Sequence, residues 1–452
     1  MNIVIVGCGN VGKTLTEQLS REGHNIVVID TKPNLVTSVS NTYDVLGVVG
    51  NGASYSVQKD AGIEDADLLI AVAGSDELNL LCCLIAKKAG NCQTIARVGN
   101  PVYSKETEFI RKELGLSMIV NPELAAASEI ARLIKFPSAM EVDAFAKGKI
   151  ELMKLKITAE SKLNHCSLKD ISMKIGDDIL ICAVQRGEEV FIPNGNFVLE
   201  EKDLISIVTS SQRVLPFLKK LNLKGGRVKS TLIVGGGETT IYLATQLISM
   251  GIQVKIIEMN RDRCEELCEL VPKASVICGD GTDRDLLLEE GLEEVDSFVA
   301  WTNFDEENIM ISLYAKSVTN AKIVAQVHRT NYDKIVENLE IGSVMYPKNI
   351  TAEYIIRYVR AMQNSIGSNV ETLYRLIENK VEALEFIVRD DASAIIDKPL
   401  QELNLKNDLL ICGINHNGNI ITPKGQDIIR KGDSVVVVTT TTGLRDLNDI
   451  LK

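Results

Sequence analysis

An apolar strand that runs straight into a glycine-rich turn constrains this chain more than any other feature. Asn2-Ile3-Val4-Ile5-Val6 is short and β-branched, and Gly7-Cys8-Gly9-Asn10-Val11-Gly12 follows it without a break. Val11, Leu15 and Leu19 then recur every four residues up to Gly23, and Ile26-Val27-Val28-Ile29 leads to Asp30. Strand, glycine turn, helix, strand and acid, in that order, form the pattern of a dinucleotide-binding βαβ unit. Gly7 permits the tight turn, Gly9 lets backbone N–H groups approach a pyrophosphate, and Gly12 lets the helix pack closely on the strand. The helix N-terminus offers the phosphates unpaired N–H groups and a partial positive charge. Asp30 can accept both ribose hydroxyls, which favours NAD(H) or an adenosine nucleotide such as ATP or ADP over NADP(H); Lys32, two positions on, works against that preference. Gly7, Gly12, Lys13 and Thr14 also meet the spacing of a P-loop, but Gly9 and the acid after strand two favour the dinucleotide reading.

The alternation continues. Val45 to Val49, Asp67 to Val72, Gln93 to Val98 and Ser117 to Val120 read as further strands, and Leu78 to Lys88 as a helix. Short, fully apolar strands alternating with helices specify an α/β fold with a doubly wound parallel sheet covered on both faces. Ligands of such sheets lie beyond the carboxyl ends of the strands. The segments there are Asn51-Gly52 after strand three, Ala73-Gly74 after strand four and Arg97 at strand five. Pro122 to Lys135 is a helix, and beyond it the texture changes to β-rich patches at 152–157, 179–184, 189–192 and 204–208. Turn signals at 175–178, 185–188, 193–195 and 200–203 separate them, giving a small α+β module. Lys224-Gly225-Gly226-Arg227 reads as a linker.

Then the sequence begins again. Thr231 to Val234 leads into Gly235-Gly236-Gly237-Glu238-Thr239-Thr240, 228 residues after the first glycine turn. Gly251 and Glu258 repeat Gly23 and Asp30 at the same offset, and Gly279-Asp280-Gly281 repeats Gly50-Asn51-Gly52 one residue further on. Asp305-Glu306-Glu307-Asn308 repeats Asp76-Glu77-Leu78-Asn79, and Pro423, Gly425 and Asp433 repeat Pro193, Gly195 and Asp203 of the small module. The chain is therefore a tandem duplication of a two-part unit. The expected division is 1–137 and 226–365 for the Rossmann-type domains, and 138–225 and 366–452 for the modules. The second copy departs at its site. Thr240 replaces the third glycine, Trp301 and Thr302 stand for Ala73 and Gly74, and Gln326 replaces Arg97. The second-site candidates are Gly235, Gly237, Glu238, Thr239, Glu258, Asp280, Gly281 and Thr302, and their ligand need not be that of the first site.

Charge narrows the function. A net charge of −12 argues against general nucleic-acid binding, which needs basic patches to displace counterions. No apolar run approaches the roughly 18–20 residues that span a bilayer, and no basic segment precedes the N-terminal apolar stretch, so a soluble, cytoplasmic chain is expected. Ten cysteines without a CxxC pair read as small buried side chains rather than a disulfide framework or metal site.

Two glycine-turn domains, each followed by a module with a Pro-x-Gly turn and an apolar last strand, resemble the tandem RCK (also KTN) family of Trk-type potassium-uptake regulators, over essentially the whole chain. Asn51 departs from that family's usual Asp, which the second copy keeps at Asp280. The resemblance implies NAD(H) binding by Gly7–Gly12, Asp30, Ala73-Gly74 and Arg97. It also implies a homo-oligomeric cytoplasmic ring, paired through the helices Pro122 to Lys135 and Pro347 to Met362. That ring would gate a membrane potassium-translocating subunit of the TrkH/TrkG type without inserting into the bilayer itself.

A dehydrogenase with duplicated nucleotide domains is the competing reading, and it needs an acid/base group beside the nicotinamide. Of His24, His165, His328 and His416 only His328, after the fifth strand of the second copy, is placed to face a nucleotide. The recurring Asp76-Glu77 and Asp305-Glu306 read as acids at a helix N-terminus rather than as catalytic carboxylates or a metal site. These residues favour a regulatory ligand-binding subunit over an enzyme.

Overall fold

Six parallel strands form the first sheet of the computed structural model: β1 (Asn2–Val6), β2 (Asn25–Asp30), β3 (Leu46–Val49), β4 (Leu68–Ala71), β5 (Gln93–Arg97) and β6 (Met118–Val120). Their order is β3-β2-β1-β4-β5-β6, with Val6 level with both Ile29 and Ala71. The chain winds outward from β1 to β3, then crosses back to β4, so the order reverses between β1 and β4. All four β4 residues and the last four of β1 are buried, as strands covered on both faces require. The carboxyl ends of these two strands carry Gly7 and Ala73, which puts the glycine turn at the switch point of the sheet.

The structure describes residues 1–90, 92–100, 103, 106–145, 149–175, 179–210, 213–214, 216–217, 228–329, 333–364, 370–376, 380–389, 394–441, 443–444 and 446–452. The expected linker at Lys224 to Arg227 and most of the turn at 175–178 lie outside them. So do the expected domain limits at residues 225, 226, 365 and 366.

Next comes an antiparallel sheet of β7 (Glu141–Phe145), β8 (Ile150–Lys156), β9 (Ile179–Arg186), β10 (Glu189–Phe191) and β11 (Leu204–Ser210), ordered β10-β9-β11-β8-β7. β7 is a strand that sequence patterning does not reveal. The two side chains described there, Val142 and Phe145, are buried, and β7 is an edge strand paired through Val142 opposite Met153. The repeat then supplies β12 (Ser230–Val234), β13 (Gln253–Glu258), β14 (Ser275–Cys278), β15 (Ser297–Ala300), β16 (Lys322–Gln326) and β17 (Ser343–Met345) in the order β14-β13-β12-β15-β16-β17. Last come β18 (Val370–Leu376), β19 (Val381–Ile387), β20 (Leu409–His416), β21 (Asn419–Ile421) and β22 (Ser434–Thr439), ordered β18-β19-β22-β20-β21. The fold is α/β, two Rossmann-type sheets and two small antiparallel ones, each pair sharing one topology.

Two compact units result. One combines Met1–Ala131 with Lys229–Ile356, the other Arg132–Val228 with Arg357–Lys452. Within the first, Asn121 Nδ2 donates to Tyr242 Oη at 3.1 Å and Gln246 Nε2 to Ser128 Oγ at 3.1 Å. The helix Pro122–Lys135 thus touches the helix Glu238–Ser249 of the other copy. Within the second unit one core is shared by both modules: Phe145, Ile150, Leu152 and Val208 pack with Val381, Ala383, Val436 and Val438. Neither module buries this face alone, and a shared core is how two small sheets escape the poor surface-to-volume ratio of each. Seven of the ten cysteines are buried, which fits their reading as small core side chains.

Candidate nucleotide site

The first glycine turn is held by three close approaches. Gly7 has φ +106 and donates its N–H to Ile29 O at 2.8 Å; a Cβ there would lie 2.9 Å from the backbone of Val72 and Ala73. A Cβ on Gly12 would stand 1.8 Å from the carbonyl oxygen of Gly7, so the helix approaches the strand as closely as a bare backbone allows. Gly9, by contrast, precedes the helix Asn10–Arg21 with nothing within 4 Å of its Cβ position. The N–H groups of Gly9, Asn10 and Val11 meet no acceptor among the described residues, and no acid stands in the first turn of this helix. Asn10 is exposed and Val11 partly exposed.

Asp30 does more than wait for a ribose. Its Oδ2 accepts from the Cys8 N–H at 2.8 Å and its Oδ1 from the Lys32 N–H at 2.9 Å, which fastens the end of β2 to the glycine turn. A carboxylate has about four acceptor positions, so two remain. Burial, reinforced by the Asp30 charge and opposed by Lys13, pushes the Cys8 thiol up to about 12, and it stays protonated.

The other strand ends are organised by residues that motif reasoning passed over. Asn79 is fully buried; its Oδ1 accepts from Ala73 N–H at 2.8 Å and its Nδ2 donates to Ala73 O and Arg97 O. One amide therefore ties the ends of β4 and β5 together. Asp76 accepts the N–H groups of Gly99 and Asn100 at 3.0 and 2.8 Å, while Ser75 is the helix cap, accepting from Leu78 N–H. Asp76 and Glu77 do stand in the first turn of the helix Asp76–Ala89, but the capping side chain is Ser75, and Asp76 also fastens the loop after β5. Asn51 turns onto its own chain, accepting from Ala53 N–H, and Gly52 is required because a Cβ would lie 2.3 Å from Val6. Gly74 has open space, as Gly9 does. Arg97 pairs with Glu123 at 3.3 Å, and its Nε is buried without a partner.

The second copy rebuilds the turn with different chemistry. Gly235 repeats the positive φ at +108, but Thr240 donates its hydroxyl to Gly235 O at 2.7 Å, so a hydrogen bond replaces the bare contact of Gly12. Glu258 repeats Asp30 atom for atom, accepting from Gly236 N–H at 2.7 Å and Asn260 N–H at 2.8 Å. Gly237 is open, Thr239 is buried, and Glu238 pairs with Arg263 at 3.1 Å, whose Nε donates to Gly236 O at 2.7 Å. Asp280 accepts from the N–H and hydroxyl of Thr282, and these bonds hold its carboxyl below the usual range; Gly281 lies against Val234. Asn308 binds Thr302 N–H, Thr302 O and Gln326 O, as Asn79 binds Ala73 and Arg97. That equivalence corrects the alignment: Thr302 stands for Ala73, Trp301 for Val72. Asp305 accepts from the N–H groups of His328 and Arg329 and from His328 Nδ1. With Gln326 Nε2 at 3.0 Å from Nε2, His328 is held on both sides.

The first site therefore suits a dinucleotide on chemistry alone: open glycine faces, three unpaired N–H donors at a helix N-terminus and an acid with acceptor positions to spare. The TrkA-N domain model matches residues 3–122 and again 231–347, and the TrkA-C domain model matches 152–222 and 384–452. The chain belongs to the TrkA family. It is 32% identical over 453 residues to the Trk system potassium uptake protein TrkA homolog of Archaeoglobus fulgidus, and 31% identical over 461 residues to TrkA homolog 1 of Methanosarcina mazei. In both cases 100% of each chain is covered. Among solved structures, the GsuK channel bound to NAD superposes with a TM-score of 0.63 over 97% of this chain and 77% of that one, at 17% identity, a likeness of fold. Among the described residues no helix is long and apolar enough to cross a membrane, and no group of acids, histidines and cysteines is placed to hold a metal.

Proposed function

We propose that this chain is the cytoplasmic regulatory subunit of a Trk-type potassium uptake system. It takes NAD(H), with ATP and ADP as competing ligands, at its first glycine turn. The observation that carries the ligand is the Asp30–Cys8 contact, which presents a carboxylate and the N–H groups of one helix N-terminus to the same open space. The phosphate-facing residues are Gly7 to Gly12, with Asp30 on the ribose and Ala73-Gly74 lining the crevice between β1 and β4. Arg97 contributes charge from β5, moderated by Glu123.

The family assignment over both domain types supports regulation over catalysis. His328, which follows the fifth strand of the second Rossmann-type sheet, is already engaged by Asp305 and Gln326. The partner is a membrane potassium-translocating subunit of the TrkH/TrkG type, and the chain acts on it as a homo-oligomeric ring. Ligand at the switch point alters the ring only to the extent that it prefers one shape. The four-part division at residues 137, 225 and 365 is retained in this reading.

Calorimetric titration of NADH, NAD+, ATP and ADP into the wild type and Asp30→Ala tests it. Saturable binding that weakens at least tenfold in the variant is expected. Absence of binding of all four, or steady NADH turnover on a panel of small carbonyl substrates, overturns it.

A further inference from the structure

The two glycine turns share a backbone but not a charge. In the first, the helix opens on the neutral Asn10 and carries no acid in its first turn, with Lys13 three residues on. In the second, the same two positions are Glu238 and Ile241, an anion gained and a cation lost. Glu238 is not a loose surface acid. Its Oε1 lies 3.1 Å from Arg263 Nη2, and its Oε2 is buried without a hydrogen-bond partner. Arg263 comes from the helix Arg261–Leu270 that follows Glu258, and it is only 20% exposed. Its Nε donates to the Gly236 carbonyl at 2.7 Å, its Nη2 to Glu238, and its Nη1 to Glu266 at 2.6 Å. The guanidinium therefore lies over the turn itself, bridging the helix beyond the ribose acid to the helix that would face a phosphate.

We propose that Glu238, fixed by Arg263, stands where the second turn would hold a pyrophosphate, so that each chain takes one dinucleotide, at the first turn only. This rests on the reading of the first turn as a nucleotide site. A helix N-terminus favours one anion there, and an internal carboxylate meets that preference without a ligand. An incoming pyrophosphate would meet a like charge at close range, on a side chain that is 41% exposed but has one carboxylate oxygen buried without a partner. It would also have to compete for the Arg263 guanidinium with a carbonyl and two carboxylates that already engage it. Glu258 does not reverse this, because its oxygens already accept from Gly236 and Asn260 and it supplies no positive charge. Glu238 is thus a specificity residue that distinguishes the second Rossmann-type domain from the first.

The test is NADH stoichiometry on the full chain by calorimetry. The wild type is expected to bind one NADH per chain, Asp30→Ala to lose it at least tenfold, and Glu258→Ala to keep it. Glu238→Asn restores the first-copy residue and Glu238→Gln keeps the shape without the charge; each is expected to add a second, weaker equivalent. Two NADH per wild-type chain overturns the inference while leaving the nucleotide-sensing reading intact. So does unchanged stoichiometry in both Glu238 variants. One NADH retained at full affinity in Asp30→Ala overturns both the inference and the placement of the ligand at the first turn. Failure of the wild type to bind any adenine nucleotide overturns both the inference and the nucleotide-sensing reading.

Discussion

Replacing Asp30 by alanine should loosen the first glycine turn even with no nucleotide present. The carboxylate accepts from Cys8 N–H at 2.8 Å in a partly buried setting and from Lys32 N–H at 2.9 Å at the surface. Hydrogen bonds to charged groups contribute roughly 1.5–3 kcal/mol net, and the exposed one falls well below that range through solvent screening. Water reaching the open face beside Gly9 offsets part of the loss, leaving about 2 kcal/mol, or close to 30-fold in the local opening equilibrium. Native-state hydrogen exchange at the Cys8 amide of the ligand-free chain measures this directly. Asp30→Ala should lower its protection by about that factor, and Glu258→Ala should do the same at Gly236, whose N–H meets Glu258 Oε2 at 2.7 Å. Asp30→Glu should keep most of the protection, because the second copy shows that the longer acid makes both bonds. Unchanged Cys8 exchange in ligand-free Asp30→Ala would refute the reasoning: Asp30 would then be a ligand contact without a part in the turn.

Gly12→Ala should destabilise the first domain by about 3 kcal/mol, since its Cβ would sit 1.8 Å from a backbone oxygen with no flexible side chain to give way; Thr240→Gly should cost only about 1–2 kcal/mol, for one hydroxyl bond and a helical glycine. Urea unfolding midpoints compare the two, and equal shifts would contradict the geometry. In the first module Asp203, fully buried at its side chain, accepts two bonds of 2.8 Å from Arg186, which is 34% exposed. Asp203→Ala should therefore cost about 2–3 kcal/mol, less than a wholly buried pair, and a loss below 0.5 kcal/mol would show the pair to be idle. Burial opposes the charge of Asp305, but the N–H groups of His328 and Arg329 and the His328 ring outweigh it and hold the carboxyl below its usual 3.8. The folded state then binds fewer protons than the unfolded one, so this stabilisation is complete above about pH 4 and is lost as pH falls through the depressed value. Amide exchange at His328 and Arg329 should rise over that acid window in the wild type, and already be fast at neutral pH in Asp305→Asn.

Much of the fold was legible because its signals are local and repeated. The six strands of the first sheet, the glycine turn and the duplication all follow from apolar runs and glycine spacing. What stayed hidden depends on contacts between distant segments. Asp76 sits at a helix start and looks like a capping acid, yet its partners, Gly99 and Asn100, come from beyond the next strand. Asn79 and Asn308 set the register between copies from inside the core, and without them Thr302 pairs with the wrong residue of the first copy. β7 escaped notice because a five-residue edge strand, Glu141–Phe145, is too short and too mixed in sequence to show a period. Arg263 lies 25 residues from Glu238, and nothing in either segment announces that they meet over the turn.

Duplication followed by divergence leaves a recognisable physical pattern here. Residues that fasten the sheet to its loops are kept in both copies: Asp30 and Glu258, Asn79 and Asn308, Asp76 and Asp305. The residues that changed lie around the glycine turn and at the end of the fifth strand: Asn10 to Glu238, Lys13 to Ile241, Gly12 to Thr240 and Arg97 to Gln326. A copy under no constraint would lose its fastening residues as readily as its charges, so the second domain is retained for its shape. The two domains share one compact unit, joined by Asn121 to Tyr242 and Ser128 to Gln246. Tyr242 and Gln246 belong to the helix that starts at the second glycine turn, and Asn121 follows the last strand of the first sheet. On the sensor reading, a ligand at the first turn works against a partner domain held in a fixed internal state by its own ion pair. A tenfold preference for one domain arrangement over another then supplies about 1.4 kcal/mol per chain. A ring multiplies that bias by its number of chains, whereas a second responsive site of different preference would dilute it.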